Sequence, residues 1–220
     1  MTSPLTWLFT NPTAFIAFVV TLAIAFTLHE FSHAAAAVAQ GDPTPRTQGR
    51  LSLNPARHID PVGALFILLA GIGWARPVEF MPSRLRFGRV GAVLVALVGP
   101  IANFVLALIA AVLIRIGAET GWLYTGSWDI FLTVFFQLNV VLGVFNLLPI
   151  PPLDGSRLLS LLLPPSQHGI LRFLEQYGIF ILLAILLIPA LTRTSLLGPI
   201  FAAVERFIAR LVGIDGILVI

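Results

Sequence analysis

The sequence predicts an all-α polytopic membrane protein, and three observations predict it. Hydrophobic residues make up 58% of the 220-residue chain and charged residues only 10%, where a soluble domain carries roughly 25% charge. Several apolar runs are longer than the roughly 18 residues a helix needs to cross the hydrocarbon of a bilayer. Seven of the 13 arginines gather in the two polar segments 40–61 and 75–90.

Composition also excludes classes of function. There are no cysteines, so neither disulfides nor thiolate ligands are available, and any metal must be held by nitrogen and oxygen. The net charge is +3 and all 13 basic residues are Arg. That excess reads as membrane topology, with no nucleic-acid footprint. Arginine-only basicity with abundant Ala and Gly points to a GC-rich prokaryotic source, hence a prokaryotic cell membrane.

In chain order, Met1 to Pro12 has no charged side chain. A signal peptide needs a positive start, so the first helix is expected to be a permanent span. It runs from about Thr13 to Ala39, roughly 40 Å at the helical rise, and Gly41-Asp42-Pro43 ends it. Thr44 to Pro61 is polar. Val62 to Trp74 is apolar but too short to span, and suits a re-entrant or interfacial piece. Arg76-Pro77-Val78-Glu79-Phe80 reads as an extended edge. A second span is expected from about Gly91 to Ile116, kinked at Pro100, with Asn103 one turn later in an otherwise apolar stretch. A third runs from about Ile130 to Leu148 and breaks at Pro149, Pro151 and Pro152. A further span covers about Ile170 to Leu191. Leu196 to Ile220 reads as amphipathic, spanning or lying at the interface. The whole is expected to be one membrane-embedded domain over 1–220, with a core at about 13–163 and additional helices at about 170–220.

Orientation follows from the loops. Segments 40–61 and 75–90 carry seven Arg, whereas the N-terminus and the 117–129 loop carry none. The positive-inside rule puts the N-terminus outside and those loops in the cytoplasm. His29, His33 and Asp154 then lie toward the cytoplasmic side at similar depth.

The chemistry centres on His29-Glu30-Phe31-Ser32-His33. Histidines four apart lie on one face of a helix and can share one zinc ion, while the intervening glutamate can take a proton from water. Ionisable side chains in such an apolar segment are costly and mark function. A structural polar pair is the competing reading, but Ser, Thr or Asn would hold helices together at lower desolvation cost. Catalytic zinc usually takes three protein ligands. Only alanines and a valine follow His33 closely, so the third ligand must come from elsewhere. Asp154 is the favoured candidate: it follows a proline-broken apolar run that can fold back at membrane depth, beside Gly155, which permits close packing. An ordinary helix N-cap is the competing reading of Asp154, and His58 is the runner-up ligand. His168 is expected to face solvent. Asn146 and Asn103 are candidates to donate to a developing oxyanion or grip a substrate backbone, with helix–helix hydrogen bonding as the alternative.

The chain resembles the site-2 protease family of intramembrane zinc metalloproteases. The resemblance rests on His29 through His33, Gly99-Pro100-Ile101-Ala102-Asn103, Asn146 through Asp154-Gly155, and the Asn54 to Pro61 stretch. It implies a three-helix catalytic core plus one or two C-terminal helices, one zinc per chain on His29, His33 and Asp154, and Glu30 as general base. It implies cleavage of peptide bonds in or beside transmembrane helices, with single-span membrane proteins in the bilayer as substrates. No PDZ or CBS domain is expected, so the chain looks like a minimal member. A substrate helix must unwind before attack, and the 62–80 segment could then pair with it as an added strand. The competing function class is a membrane metal transporter or sensor using the same His pair.

Overall fold

The computed structural model describes residues 4–71, 73–164, 167–192, 194 and 196–217. Seven principal helices order the chain: α1 (Pro12–Ala39), α2 (Pro61–Ala70), α3 (Gly88–Thr120), α4 (Trp128–Asn146), α5 (Gly155–Leu162), α6 (His168–Thr192) and α7 (Gly198–Val212). Four of them, α1, α3, α4 and α6, contain stretches long and apolar enough to cross a membrane. The described residues form no strand beyond one isolated bridge. The chain is an all-α polytopic membrane protein, as the sequence predicts.

Each boundary has a local cause. Asn11 caps α1 by accepting from the Ala14 amide at 3.0 Å, and Pro12 occupies the first helical position, where its missing N–H costs nothing. The turn after α1 passes through Gly41 at φ 103°, a conformation that favours glycine. Helix α3 is longer than expected at both ends. It carries Pro100 in its interior and stops at Gly121, which has φ 84°.

Helices α1, α3 and α4 form the packed core. Their interface is built from small residues: Ala25, Ala34, Ala37, Ala107 and Ala111 have no exposed surface. Without a hydrophobic drive between helices in lipid, close approach of backbones supplies the dispersion contacts. Larger groups, Phe136 and Val140, fill the centre where α3 meets α4. Helix α7 packs onto that cluster through Ile208, Ala209 and Val212 while Phe207 and Leu211 face outward, so it is amphipathic as expected. Arg115 of α3 donates to the Val212 carbonyl at 2.9 Å and closes the C-terminal end of α7. Helix α6 is mostly exposed. It approaches the core where Gly178 meets Pro151, so closely that an added Cβ would collide with the Pro151 carbonyl.

The 62–80 segment is a short helix followed by an extended return. Asp60 caps α2 by accepting from the Gly63 amide at 2.8 Å, and Gly71 ends the helix at φ 74°. The chain then returns in extended form. Ile59 and Ala75 make an antiparallel bridge, and the Arg76 amide donates to the His58 carbonyl at 2.7 Å. Gly63 and Gly73 face each other across this fold-back, where a Cβ on Gly63 would strike the Trp74 carbonyl and one on Gly73 the Gly63 carbonyl. The result is a helix-out, strand-back loop whose returning arm runs beside α1.

Candidate active site

Helix α1 brings His29, Glu30 and His33 to the core; they are 6%, 7% and 6% exposed. Helix α3 can approach this face because residue 99 is glycine: an added Cβ would lie 2.5 Å from His33 Cε1 and 2.8 Å from His29 Cε1. Two oxygens of α3 then receive the outer nitrogens of the imidazoles. His29 Nδ1 is 2.7 Å from Asn103 Oδ1, and His33 Nδ1 is 2.6 Å from the Val95 carbonyl. Both partners accept, so each ring carries its hydrogen on Nδ1 and presents a bare lone pair at Nε2.

Asp154 completes the group from the far side. After α4, the proline-rich turn folds back through bonds from the Ile150 amide to the Leu148 carbonyl at 2.8 Å and from the Leu153 amide to the Ile150 carbonyl at 2.9 Å. Gly155 permits this, because a Cβ there would strike the Leu147 carbonyl. Asp154 precedes α5, yet its side chain makes no capping hydrogen bond to that helix. It points at the histidines instead: Oδ2 lies 3.1 Å from His29 Nε2 and 3.3 Å from His33 Nε2.

These three atoms test whether a metal fits. The two Nε2 atoms are 3.0 Å apart, and Asp154 Oδ2 is buried with no hydrogen-bond partner. With each Nδ1 hydrogen engaged elsewhere, neutral imidazoles and an ionised Asp154 turn three lone pairs toward one point, which a bound cation would satisfy. Ligands at about 2.0–2.1 Å from a tetrahedral zinc are about 3.3–3.4 Å apart, close to the observed spacings. The set of two imidazoles and one carboxylate fits zinc and leaves room for a fourth ligand.

The general-base candidate is held by the returning arm of the 62–80 loop. The Val78 amide donates to Glu30 Oε2 at 3.0 Å. Arg50 braces the same arm from behind, donating to the Arg76 carbonyl at 3.3 Å and also to the Arg57 carbonyl. Asp42 ties the arm's end to the turn after α1, accepting from the Met81 amide at 2.6 Å and the Thr44 hydroxyl at 2.6 Å.

The other sequence candidates fall elsewhere. His58 is buried against the Ser52 carbonyl at 2.7 Å and is not in the His29–His33–Asp154 group. The His168 side chain lies outside the described residues. Asn146 Nδ2 donates to the Leu142 carbonyl of its own helix at 3.0 Å. Asn103 has both polar ends engaged within the protein, since its Nδ2 donates to Asn139 Oδ1 at 3.0 Å. Sequence reasoning missed Asn139. The signal was the kind that flagged Asn103, a carboxamide inside an apolar span, here two residues from Gln137.

Comparison with known proteins agrees with this architecture. The model of "Peptidase family M50" matches residues 114–189. The "Putative zinc metalloprotease YwhC" of Bacillus subtilis is 41% identical over 175 residues, covering 78% of this chain and 80% of that protein. The "Putative zinc metalloprotease Rip2" of Mycolicibacterium smegmatis is 35% identical over 178 residues, covering 76% of this chain and 64% of its own. Its Mycobacterium tuberculosis counterpart is 33% identical over 174 residues, covering 76% and 65%. The chain thus spans slightly less than two thirds of the length of these mycobacterial proteins. No solved structure matches.

A membrane-embedded helical core with a two-histidine, one-carboxylate centre and these relatives defines an intramembrane zinc metalloprotease. The chain belongs to peptidase family M50, the site-2 protease family.

Proposed function

We propose that His29, His33 and Asp154 hold the zinc and that Glu30 is the general base for hydrolysis of peptide bonds within or beside transmembrane helices. The observation that carries this reading is the convergence of three lone-pair donors at 3.0, 3.1 and 3.3 Å, one residue from a buried carboxylate on the same helix turn. Bound zinc supplies Lewis acidity, polarising the scissile carbonyl and lowering the pKa of water toward about 7. Glu30 accepts the proton of the attacking water and delivers it to the leaving amine. The Val78 amide, 3.0 Å from Oε2, orients that carboxylate. Asn146, at the end of α4, is the candidate to hold the substrate backbone or its developing oxyanion.

The substrates we infer are single-span membrane proteins that unwind locally at the site. The arm at 73–81 is extended, and among the described residues its one bridge partner is Ile59. An unwound substrate could pair with this arm as an added strand. We place the N-terminus outside and the site toward the cytoplasm. The arginine-rich segments meet at one end of the molecule, where the Arg86 amide donates to the Gln40 carbonyl at 2.9 Å and the Arg89 guanidinium to the Ser160 carbonyl at 2.6 Å. Positive residues favour the cytoplasmic face. The described chain acts as one membrane-embedded peptidase unit, in a prokaryotic cell membrane.

The test uses detergent-purified protein and a model transmembrane substrate, with and without chelator. Cleavage should occur, stop with chelator and return with zinc. Glu30→Gln should keep its zinc and lose about 10²–10⁴-fold in rate. Cleavage by Glu30→Gln at the wild-type rate would remove Glu30 from the role of base.

A further inference from the structure

Asn103 and Asn139 are both fully buried, at 0% exposure. A carboxamide has two ends of nearly the same shape, one that accepts and one that donates. Which end of Asn103 faces His29 decides the state of that ring. If the oxygen faces Nδ1, the hydrogen sits on Nδ1 and Nε2 offers a lone pair to the centre. If the NH2 group faces Nδ1, the hydrogen is forced onto Nε2, and that atom cannot ligate a cation.

The hydrogen-bond chain has a fixed polarity at its far end. Asn139 Nδ2 donates to the Phe135 carbonyl at 2.8 Å, and a carbonyl can only accept. Asn139 therefore turns its oxygen toward Asn103, whose Nδ2 donates to it at 3.0 Å. Asn103 is left with its oxygen toward His29 Nδ1, at 2.7 Å. A backbone carbonyl of α4 thus sets the direction of every bond across α3 to the histidine of α1. Reversing any one amide would place two donors or two acceptors face to face in a buried site, which costs more than an ordinary lost bond.

We propose that Asn139, anchored on the Phe135 carbonyl, is a positioning residue that sets the tautomer of His29 through Asn103 and thereby the zinc affinity of the centre. This rests on His29 being a zinc ligand. It gives a role to two fully buried carboxamides that are bonded to each other in the apolar helices α3 and α4. It also separates the two histidines. His33 takes its tautomer directly from the Val95 carbonyl at 2.6 Å, while His29 needs a partner that could turn over and therefore needs an anchor.

The experiment is a zinc competition titration against a chelator on the purified full chain in detergent. Asn139→Leu removes the anchor and lets the Asn103 amide turn over, so zinc affinity should fall about 10–100-fold, the range for lost outer-shell partners. Asn103→Asp accepts at both oxygens and needs no anchor. The double variant Asn103→Asp/Asn139→Leu should therefore recover affinity relative to Asn139→Leu alone, a rescue that a packing role for Asn139 would not produce. Wild-type affinity in Asn139→Leu, or a double variant no better than Asn139→Leu, overturns the proposal. If Asn139→Leu fails to fold, the unaltered chain still decides. Nitrogen-15 histidine spectra of the metal-free protein, with His29 identified by its loss in His29→Ala, should show the Nδ1–H tautomer, and an Nε2–H ring overturns the inference. His29→Ala also separates the two levels. If it leaves zinc affinity intact, the ligand reading falls and takes this inference with it; if it weakens zinc while Asn139→Leu does not, only the relay falls.

Discussion

Gly99→Ala perturbs the centre by a single methyl group without replacing a ligand. The new carbon would sit 2.5 Å from His33 Cε1, against the 3.4 Å at which ordinary contact begins, a deficit of about 0.9 Å. His29 Cε1, at 2.8 Å, would be about 0.6 Å too close. Helix α3 cannot retreat without breaking the bonds from His29 to Asn103 and from His33 to Val95, so the rings must shift. Metal–ligand distances tolerate only about ±0.2 Å, and a misplacement of about 1 Å in a reacting constellation costs about 10²-fold in rate. Alanine meanwhile favours the helix over glycine by about 0.5–1 kcal/mol. The expected result is a folded protein with sharply weakened zinc binding and at least about 10²-fold slower cleavage. Chelator competition, a model-substrate assay and a thermal melt would be run on one preparation. Wild-type zinc affinity in a folded Gly99→Ala protein would refute the claim that glycine at this position is what lets α3 reach the histidines.

Other outcomes follow from the same geometry. Asp154→Ala should lower the zinc content of purified protein measured by elemental analysis; full occupancy would put the third ligand elsewhere. Arg50→Met strips donors from the Arg57 and Arg76 carbonyls. It should cost about 1–3 kcal/mol for each group left unsatisfied, read as a lower melting temperature, and should raise KM because the braced arm also carries Val78. Burial pushes the Asp42 carboxyl up, but the Thr44 hydroxyl, the Met81 and Thr44 amides and nearby Arg84 outweigh it and hold it below the ordinary value. A carboxyl lowered by folding stabilises the protein above its unfolded pKa of about 3.9, and that stability is lost as pH falls through the lower folded value. Melting temperature should therefore fall on acidification below about pH 4, and Asp42→Asn should flatten that part of the profile. An unchanged acid limb in Asp42→Asn would assign the pH dependence to other groups.

Much of the molecule was legible from residue order alone because the bilayer simplifies the problem. A span in lipid must satisfy its backbone internally, so long apolar runs can only be helices. The four spanning helices α1, α3, α4 and α6 follow from hydropathy with ends shifted by a few residues. The pairing of His29 with His33 follows from the helical repeat, since residues four apart share a face whatever the rest of the chain does. That 62–80 does not form a span follows from a run too short to cross a bilayer. The extended form of Arg76 to Phe80 was legible from sequence, whereas helix α2 at Pro61–Ala70 was not.

What sequence alone left open are the relations between elements distant in the chain. Asp154 lies 121 residues beyond His33, and its preference for the histidines over an ordinary capping role is decided by the fold-back of the proline turn against Gly155. Asn103 reads from sequence as a substrate-gripping group or a helix glue; packing commits its two ends to His29 and Asn139. Glu30 is visible in the motif, but its bond to the Val78 amide depends on how the extended arm returns beside α1. Local periodicity determines which groups share one helix face. Only the packing of α1, α3 and α4, which brings oxygen to each Nδ1 and leaves each Nε2 bare, decides that those groups can hold a cation.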